Sequence, residues 1–229
     1  MSVDPGSRKL VIAIDGVVGA GKSATAREAA HALGYRHLDT GSMYRAFALA
    51  ATRRGIQPEQ VDALKQLVDE LTLKLELEDG VCRVDLDGED VTEDIRDPAV
   101  TRRVGDYADV PEVRQALVRR QRELGASGGV VADGRDVGAV IFPDADLKIH
   151  MTADLEERTR RRHTELRSKG VEIAETQVRE DIVARDRQDQ ERDYGAEVDR
   201  REVVILDTTD LTLDAQIERV IALARERGG

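Results

Sequence analysis

One eight-residue stretch restricts this chain more than any other: Gly16-Val17-Val18-Gly19-Ala20-Gly21-Lys22-Ser23, which satisfies the pattern G-x4-G-K-[ST]. It follows Leu10-Val11-Ile12-Ala13-Ile14, a continuous β-branched run of the kind a strand buried on both faces requires. Residues 23–33 then read as a helix, with Gly34 placed to end it. In that context the glycines let successive N–H groups turn inward on the phosphates of a nucleotide, and the helix adds its positive end. Lys22 is placed to bridge the terminal phosphates and the Ser23 hydroxyl to ligate Mg²⁺. Gly16, Val17, Val18, Gly19, Ala20, Gly21, Lys22, Ser23 and Ala24 are therefore the expected binding segment for ATP or GTP.

Two further observations narrow the class. GTPases select their base with N-K-x-D, and this chain contains no Asn. Motor and AAA-type ATPases need a hydrophobic strand ending in Asp-Glu and much longer chains. Here the carboxylate at a strand end is Asp133, after Gly129-Val130-Val131-Ala132, where it is expected to hold a metal through water.

Beyond the loop, short apolar runs alternate with helical stretches. Arg36-His37-Leu38, Val130-Val131-Ala132, Leu147 to Met151 and Val203 to Leu206 supply four more strands. A helix capped by Asp39 or Thr40 runs to Arg54, and helices around 112–124, 155–169, 173–188 and 213–227 cover the rest. This alternation predicts an α/β fold with a parallel sheet flanked by helices. One segment differs. Leu73-x-Leu75-x-Leu77, Glu78-Asp79-Gly80, Cys82-x-Val84-x-Leu86 and Asp87-Gly88 show period-two alternation with turn chemistry, so 71–94 is expected to form a small antiparallel sheet with one wet face.

The 229 residues suit one large domain or a core with appendages. A net charge of −11 disfavours bulk attraction to nucleic acid or to an anionic membrane. Cys82 is the single cysteine, so no internal disulfide is possible, and no apolar run approaches the ~20 residues of a membrane span. Met1 to Lys9 has no apolar stretch typical of a secretion signal, and the expectation is a soluble cytoplasmic protein. The four histidines, His31, His37, His150 and His163, lack ligand spacing and read as structural or surface residues.

Arginine dominates the basic residues: six of the 35 are Lys and the other 29 are Arg. Many are surface ion pairs, but four clusters follow strand ends, where open α/β sheets bind ligands. The first is Leu38-Asp39-Thr40-Gly41-Ser42-Met43-Tyr44-Arg45, a helix start with Arg45 one turn in. The second is Asp133-Gly134-Arg135-Asp136. In the third, Arg158, Arg160, Arg161 and Arg162 crowd a helix N-terminus, against the dipole, which an anionic partner would explain. In the fourth, Arg185, Asp189 and Arg192 lie at i, i+4 and i+7 on one helix face. Phosphoryl transfer needs such charge compensation and little covalent chemistry from the protein.

These blocks resemble bacterial cytidylate kinases. Ile12-x-Ile14-Asp15-Gly16, the Leu-Asp-Thr-Gly-x-Met-Tyr-Arg block at 38–45, Gly88-Glu89-Asp90-Val91, Val113-Arg114-x-x-Leu117, Gln121-Arg122, Asp133-Gly134-Arg135-Asp136-x-Gly138-x-Val140-x-Phe142-Pro143-Asp144-Ala145 and Leu206-Asp207-Thr208-Thr209 occur in the family's order over nearly the whole chain.

The resemblance implies transfer of the ATP γ-phosphoryl group to CMP or dCMP with Mg²⁺ by a monomeric P-loop kinase. It implies a five-stranded parallel core (1–39, 106–157, 177–229), a nucleoside-monophosphate-binding domain with an antiparallel insert (40–105) and a short lid (158–176). Thr40, Arg45 and Arg135 would hold the CMP phosphate. Arg114, Asp136 and Arg192 would lie by the cytosine, and Arg185 and Asp189 by the ribose. Lys22, Asp133, Arg135, Arg158 and Arg162 form the expected catalytic set, with Mg²⁺ on Ser23 and, through water, Asp133.

This chain departs from the family at Val17, where Pro is usual, at Gly105 in place of a Ser, and at Tyr194-Gly195-Ala196-Glu197 in place of a Ser-Pro-Leu-like stretch. The rival readings are a P-loop kinase for UMP or a non-nucleotide acceptor, and a regulatory module that binds ATP without transfer.

Overall fold

The computed structural model describes residues 9–78, 81–168, 170–191 and 202–228. In chain order the strands are β1 (Val11–Gly16), β2 (Arg36–Asp39), β3 (Leu73–Glu78), β4 (Val81–Leu86), β5 (Glu89–Asp90), β6 (Val130–Asp133), β7 (Leu147–Thr152) and β8 (Val203–Asp207). β2, β6, β1, β7 and β8 form, in that order, a parallel five-stranded sheet. β3, β4 and β5 form the separate antiparallel sheet predicted for 71–94. Its β4–β5 turn uses Asp87 and Gly88, both at positive φ, as an Asp-Gly hairpin requires. The predicted turn at Asp79-Gly80 lies outside the described residues.

The helices are α1 (Lys22–Leu33), α2 (Thr40–Arg53), α3 (Val61–Glu70), α4 (Pro98–Ala108), α5 (Pro111–Gly125), α6 (Leu155–Ser168), α7 (Glu175–Glu191) and α8 (Leu213–Glu226). Two of them, α3 and α4, go beyond the sequence reading. α3 buries Leu64, Leu67 and Val68, an i, i+3, i+4 stripe, while α4 starts with Asp97 capping the Ala99 N–H and Pro98 in the first turn. A single π-helical turn at Val137–Ile141 also forms.

The continuous apolar run of β1 has a direct cause. Ile12 and Ile14 pack against Ala26, Ala29 and Ala30 of α1 and Val220 and Leu223 of α8 on one face. Ala13 packs with Leu38, Met43, Val118 and Val137 on the other. With both faces covered, no position can alternate to polar. A third core joins α2, α3, α4 and the start of α5 to β4 through Phe47, Leu64, Leu67, Val84, Ile95, Tyr107 and Leu117.

The sheet aligns the strand ends that matter. Ile14 lies opposite Asp133 between β1 and β6, and Asp39 opposite Asp133 between β2 and β6. Three of the four clusters therefore leave the sheet at or near its carboxyl edge.

Candidate active site

The loop after β1 turns on glycines that no other residue could replace. Gly16 has φ 140°, and a Cβ there would fall 1.9 Å from the Met151 carbonyl oxygen; Gly21 has φ 90° and would meet Gln216 Oε1 at 2.6 Å. α1 begins at Lys22 with no side-chain cap and no acidic residue in its first turn, so its N-terminal N–H groups and positive dipole end face the loop uncompensated. Lys22 Nζ donates to the Val17 carbonyl at 2.7 Å. Burial and the neighbouring Arg135 guanidinium lower its pKa to about 7, against the pull of Asp133, Asp15 and Asp189. Val17 itself donates its N–H to the Met151 carbonyl at 3.2 Å, a bond that the family's usual proline cannot make.

Asp133, at the end of β6, is 3% exposed. Its Oδ2 accepts from Ser23 Oγ at 2.5 Å and its Oδ1 lies 2.7 Å from His37 Nε2. Burial pushes Asp133 toward the neutral form, but His37, Ser23 and Lys22 outweigh it and hold the carboxyl below its usual value. A serine hydroxyl beside an ionised carboxylate is an oxygen donor pair that suits a hard divalent cation. His37 is thus buried against Asp133, which agrees with the structural half of its sequence reading and adds a partner that reading did not name. The contact forms because β2 is paired to β6, a pairing of segments far apart in sequence.

The residues expected on the acceptor side come from four elements. Asp39 caps α2 by accepting the Ser42 N–H at 2.9 Å and also takes Arg45 at 3.1 Å. The Thr40 hydroxyl donates to the Asp133 carbonyl at 2.8 Å. Gly134 permits this approach, since a Cβ there would sit 2.4 Å from Thr40 Oγ1. Arg135 is ion-paired with Asp189 of α7, and Arg114 of α5 with Asp136. Burial is the largest influence on Asp136 and raises its pKa to about 6, with Arg114 opposing and Asp15 reinforcing. Arg185 of α7 is held below its usual value by burial and by Arg135, Arg45 and Arg162, with Asp189 opposing. The buried Nε of Arg45 and of Arg158 have no hydrogen-bond partner among the described residues. Guanidiniums with spare donors are the chemistry that can bind phosphate oxygens.

The third cluster divides. α6 and α7 pack as an antiparallel hairpin, and Arg158 bridges it, donating to Asp186 at 2.7 Å and to the Val18 carbonyl at 3.3 Å. Arg160 and Arg161 both pair with Glu157. Arg161 also reaches the Thr208, Thr209 and Leu211 carbonyls, so it staples α6 to the loop after β8. Arg162 pairs with Glu165 on its own helix at 2.7 Å. Glu156 and Glu157 in the first turn answer the dipole beside these arginines. Arg192 and Tyr194–Glu197 lie outside the described residues. Gly105 is inside α4 and brings no hydroxyl.

The parallel sheet and the glycine loop at its carboxyl edge define a P-loop kinase fold. Residues 12–226 match the cytidylate kinase family. A cytidylate kinase of Symbiobacterium thermophilum is 45% identical over 221 residues, covering 96% of this chain and 98% of that one. One from Geobacter sulfurreducens is 41% identical over 222 residues, covering 97% and 95%. This chain belongs to the cytidylate kinase family. Among solved structures, an uncharacterized protein from Eubacterium ventriosum shares the fold with a TM-score of 0.50 at 13% identity, over 93% of this chain and 97% of that one. No described helix is long and apolar enough to cross a membrane.

Proposed function

We propose that this chain transfers the γ-phosphoryl group of ATP to CMP or dCMP, giving ADP and CDP or dCDP. Membership of the family carries the substrate class. The observation that carries the chemistry is the mutual repulsion of Lys22 and Arg135: after burial, Arg135 is the largest influence lowering the Lys22 pKa. Lys22 of the donor loop and Arg135 of the proposed acceptor side are thus near enough to feel each other's charge, and phosphates bound beside them would relieve the repulsion.

In this reading the N–H groups of residues 16–24 hold the ATP phosphates, and Lys22 bridges toward the γ-phosphoryl. Thr40, Arg45 and Arg135 hold the acceptor phosphate. An oxygen of that phosphate attacks the γ-phosphorus in line while the bond to the bridging oxygen of ADP breaks, with Lys22, Arg135, Arg158 and Arg162 compensating the equatorial oxygens. Ser23, with Asp133 through water, would hold Mg²⁺, which when bound neutralises charge on the phosphates. Asp136 accepts from the cytosine N4 amine while Arg114 donates to its acceptors; uracil offers a carbonyl where Asp136 needs a donor. Arg185 and Asp189 face the ribose, and Arg192 is assigned to the base by resemblance alone. The division into core (1–39, 106–157, 177–229), acceptor domain (40–105) and lid (158–176) belongs to the same proposal, supported by the separate core that joins α2–α5 to β4.

The test is ADP release with ATP and Mg²⁺ against CMP, dCMP, UMP, AMP and GMP. Turnover confined to CMP and dCMP is the expected result. Comparable turnover with UMP would overturn the role given to Asp136, and no acceptor-dependent release would overturn the kinase reading.

A further inference from the structure

His37 is a buried imidazole in the middle of β2, next to a strand whose terminal carboxylate serves the donor site. Its side chain is 3% exposed, as is that of Asp133. Asp39 lies opposite Asp133 between β2 and β6, so His37, two residues earlier, projects from the same face of the sheet as a diagonal neighbour. An aromatic ring spans that diagonal, and Nε2 arrives 2.7 Å from Asp133 Oδ1. The other carboxylate oxygen takes the Ser23 hydroxyl at 2.5 Å.

A lone carboxylate at a strand end turns about its last torsion at little cost. With Oδ1 tied to His37 and Oδ2 to Ser23, that freedom is gone. Packing alone does not require a nitrogen here, because a phenylalanine or leucine would fill the same volume. What the imidazole adds is a polar partner for one chosen oxygen.

We infer that His37 is a positioning residue: it holds Asp133 with Oδ2 aimed at Ser23, so that the oxygen pair for the nucleotide's divalent cation is set before the nucleotide arrives. This rests on the magnesium reading above. In this role His37 acts through Asp133. Outer partners of metal-side ligands typically contribute about 10- to 100-fold to metal affinity.

The experiment is equilibrium binding of a fluorescent ADP analogue, at saturating Mg²⁺ and in EDTA, by wild type, His37→Phe and His37→Gln. Phe removes the polar partner and keeps the bulk; Gln returns a nitrogen near the Nε2 position. For His37→Phe the affinity in EDTA should stay within about twofold of wild type, while the enhancement by Mg²⁺ falls about tenfold, and His37→Gln should recover most of it. If His37→Phe does not fold, His37→Leu serves as the variant without a donor. A variant whose Mg²⁺ enhancement equals that of wild type, or which loses affinity equally in EDTA and in Mg²⁺, overturns the inference and leaves His37 a packing residue. A wild type indifferent to Mg²⁺ would overturn both the inference and the metal reading beneath it; retained binding in EDTA would still support the phosphate loop.

Discussion

Arg135, two residues past the end of β6, is ion-paired with Asp189 on α7, and both side chains are mostly buried. The pair ties the segment after β6 to the α6–α7 hairpin, the element whose Arg158 also touches the phosphate loop. If Arg135 holds the acceptor phosphate as proposed, that phosphate competes with the Asp189 carboxylate, and acceptor binding is coupled to the position of the hairpin.

Replacing Arg135 with Ala should lower kcat by about a thousandfold, the loss expected for a guanidinium that compensates the transferring phosphoryl group. Binding of ATP should be maintained, because Lys22 loses a repelling neighbour and keeps its charge more readily. Steady-state kinetics with CMP and calorimetry with ATP measure the two separately. Equal losses in both would sink the assignment of Arg135 to the acceptor side.

The raised pKa of Asp136 gives a pH dependence. CMP needs the carboxylate, so binding CMP favours ionisation and draws the pKa below its free value of about 6. KM for CMP should be flat above that pH and rise as the pH falls through it, by up to about tenfold per unit. UMP should gain relative to CMP over the same range, because the protonated carboxyl can donate to a carbonyl. Arg114→Met removes the charge that opposes the shift, and the inflection should move to higher pH. A KM profile for CMP that is unchanged between pH 5 and 7 would contradict the role of Asp136.

How much of this was legible in the sequence follows from how local each feature is. The phosphate loop and the 71–94 hairpin are written in consecutive residues, and both appear where they were expected. α3 and α4 carried local signals too, the Leu64-Leu67-Val68 stripe and the Asp97-Pro98 cap, which the sequence reading passed over. The π-helical turn and the His37–Asp133 contact were not legible, because each depends on a partner far away. Val137 and Gly138 donate their N–H groups to Asp15, and His37 meets Asp133 only once β2 lies beside β6. The arginines illustrate the same limit. Arg158 and Arg161 are three residues apart, yet one reaches the phosphate loop and the other the carbonyls after β8.

That division predicts opposite phenotypes for the two. Arg161→Met breaks charge-assisted bonds to three backbone carbonyls and should cost about 1–3 kcal/mol of stability, read as a lower urea midpoint at unchanged slope. Its KM for CMP should stay near that of wild type. Arg158→Met should do the reverse, lowering kcat with the larger effect. Loss of activity by Arg161→Met in the fully folded enzyme would show that it, too, serves the phosphates.

Asp15 provides the last test. Its two oxygens accept the Val137 and Gly138 N–H groups, each at 2.8 Å, at the start of the turn that follows Arg135 and Asp136. Burial pushes its pKa up, while those two donors and Lys22 resist. β1 thereby grips the turn proposed to read the base, one residue before the phosphate loop begins. Asp15→Asn is nearly isosteric, but its amide can accept only one of the two N–H groups and turns a donor toward the other. An unpaired buried donor costs about 1–3 kcal/mol, so KM for CMP should rise about tenfold as Asp136 loses its register. Nucleotide binding to the phosphate loop should change little, since its N–H groups follow Gly16 and do not depend on the turn. If calorimetry shows ADP weakened as much as CMP, Asp15 supports the loop itself, and the connection between β1 and the base-reading turn is not what sets acceptor affinity.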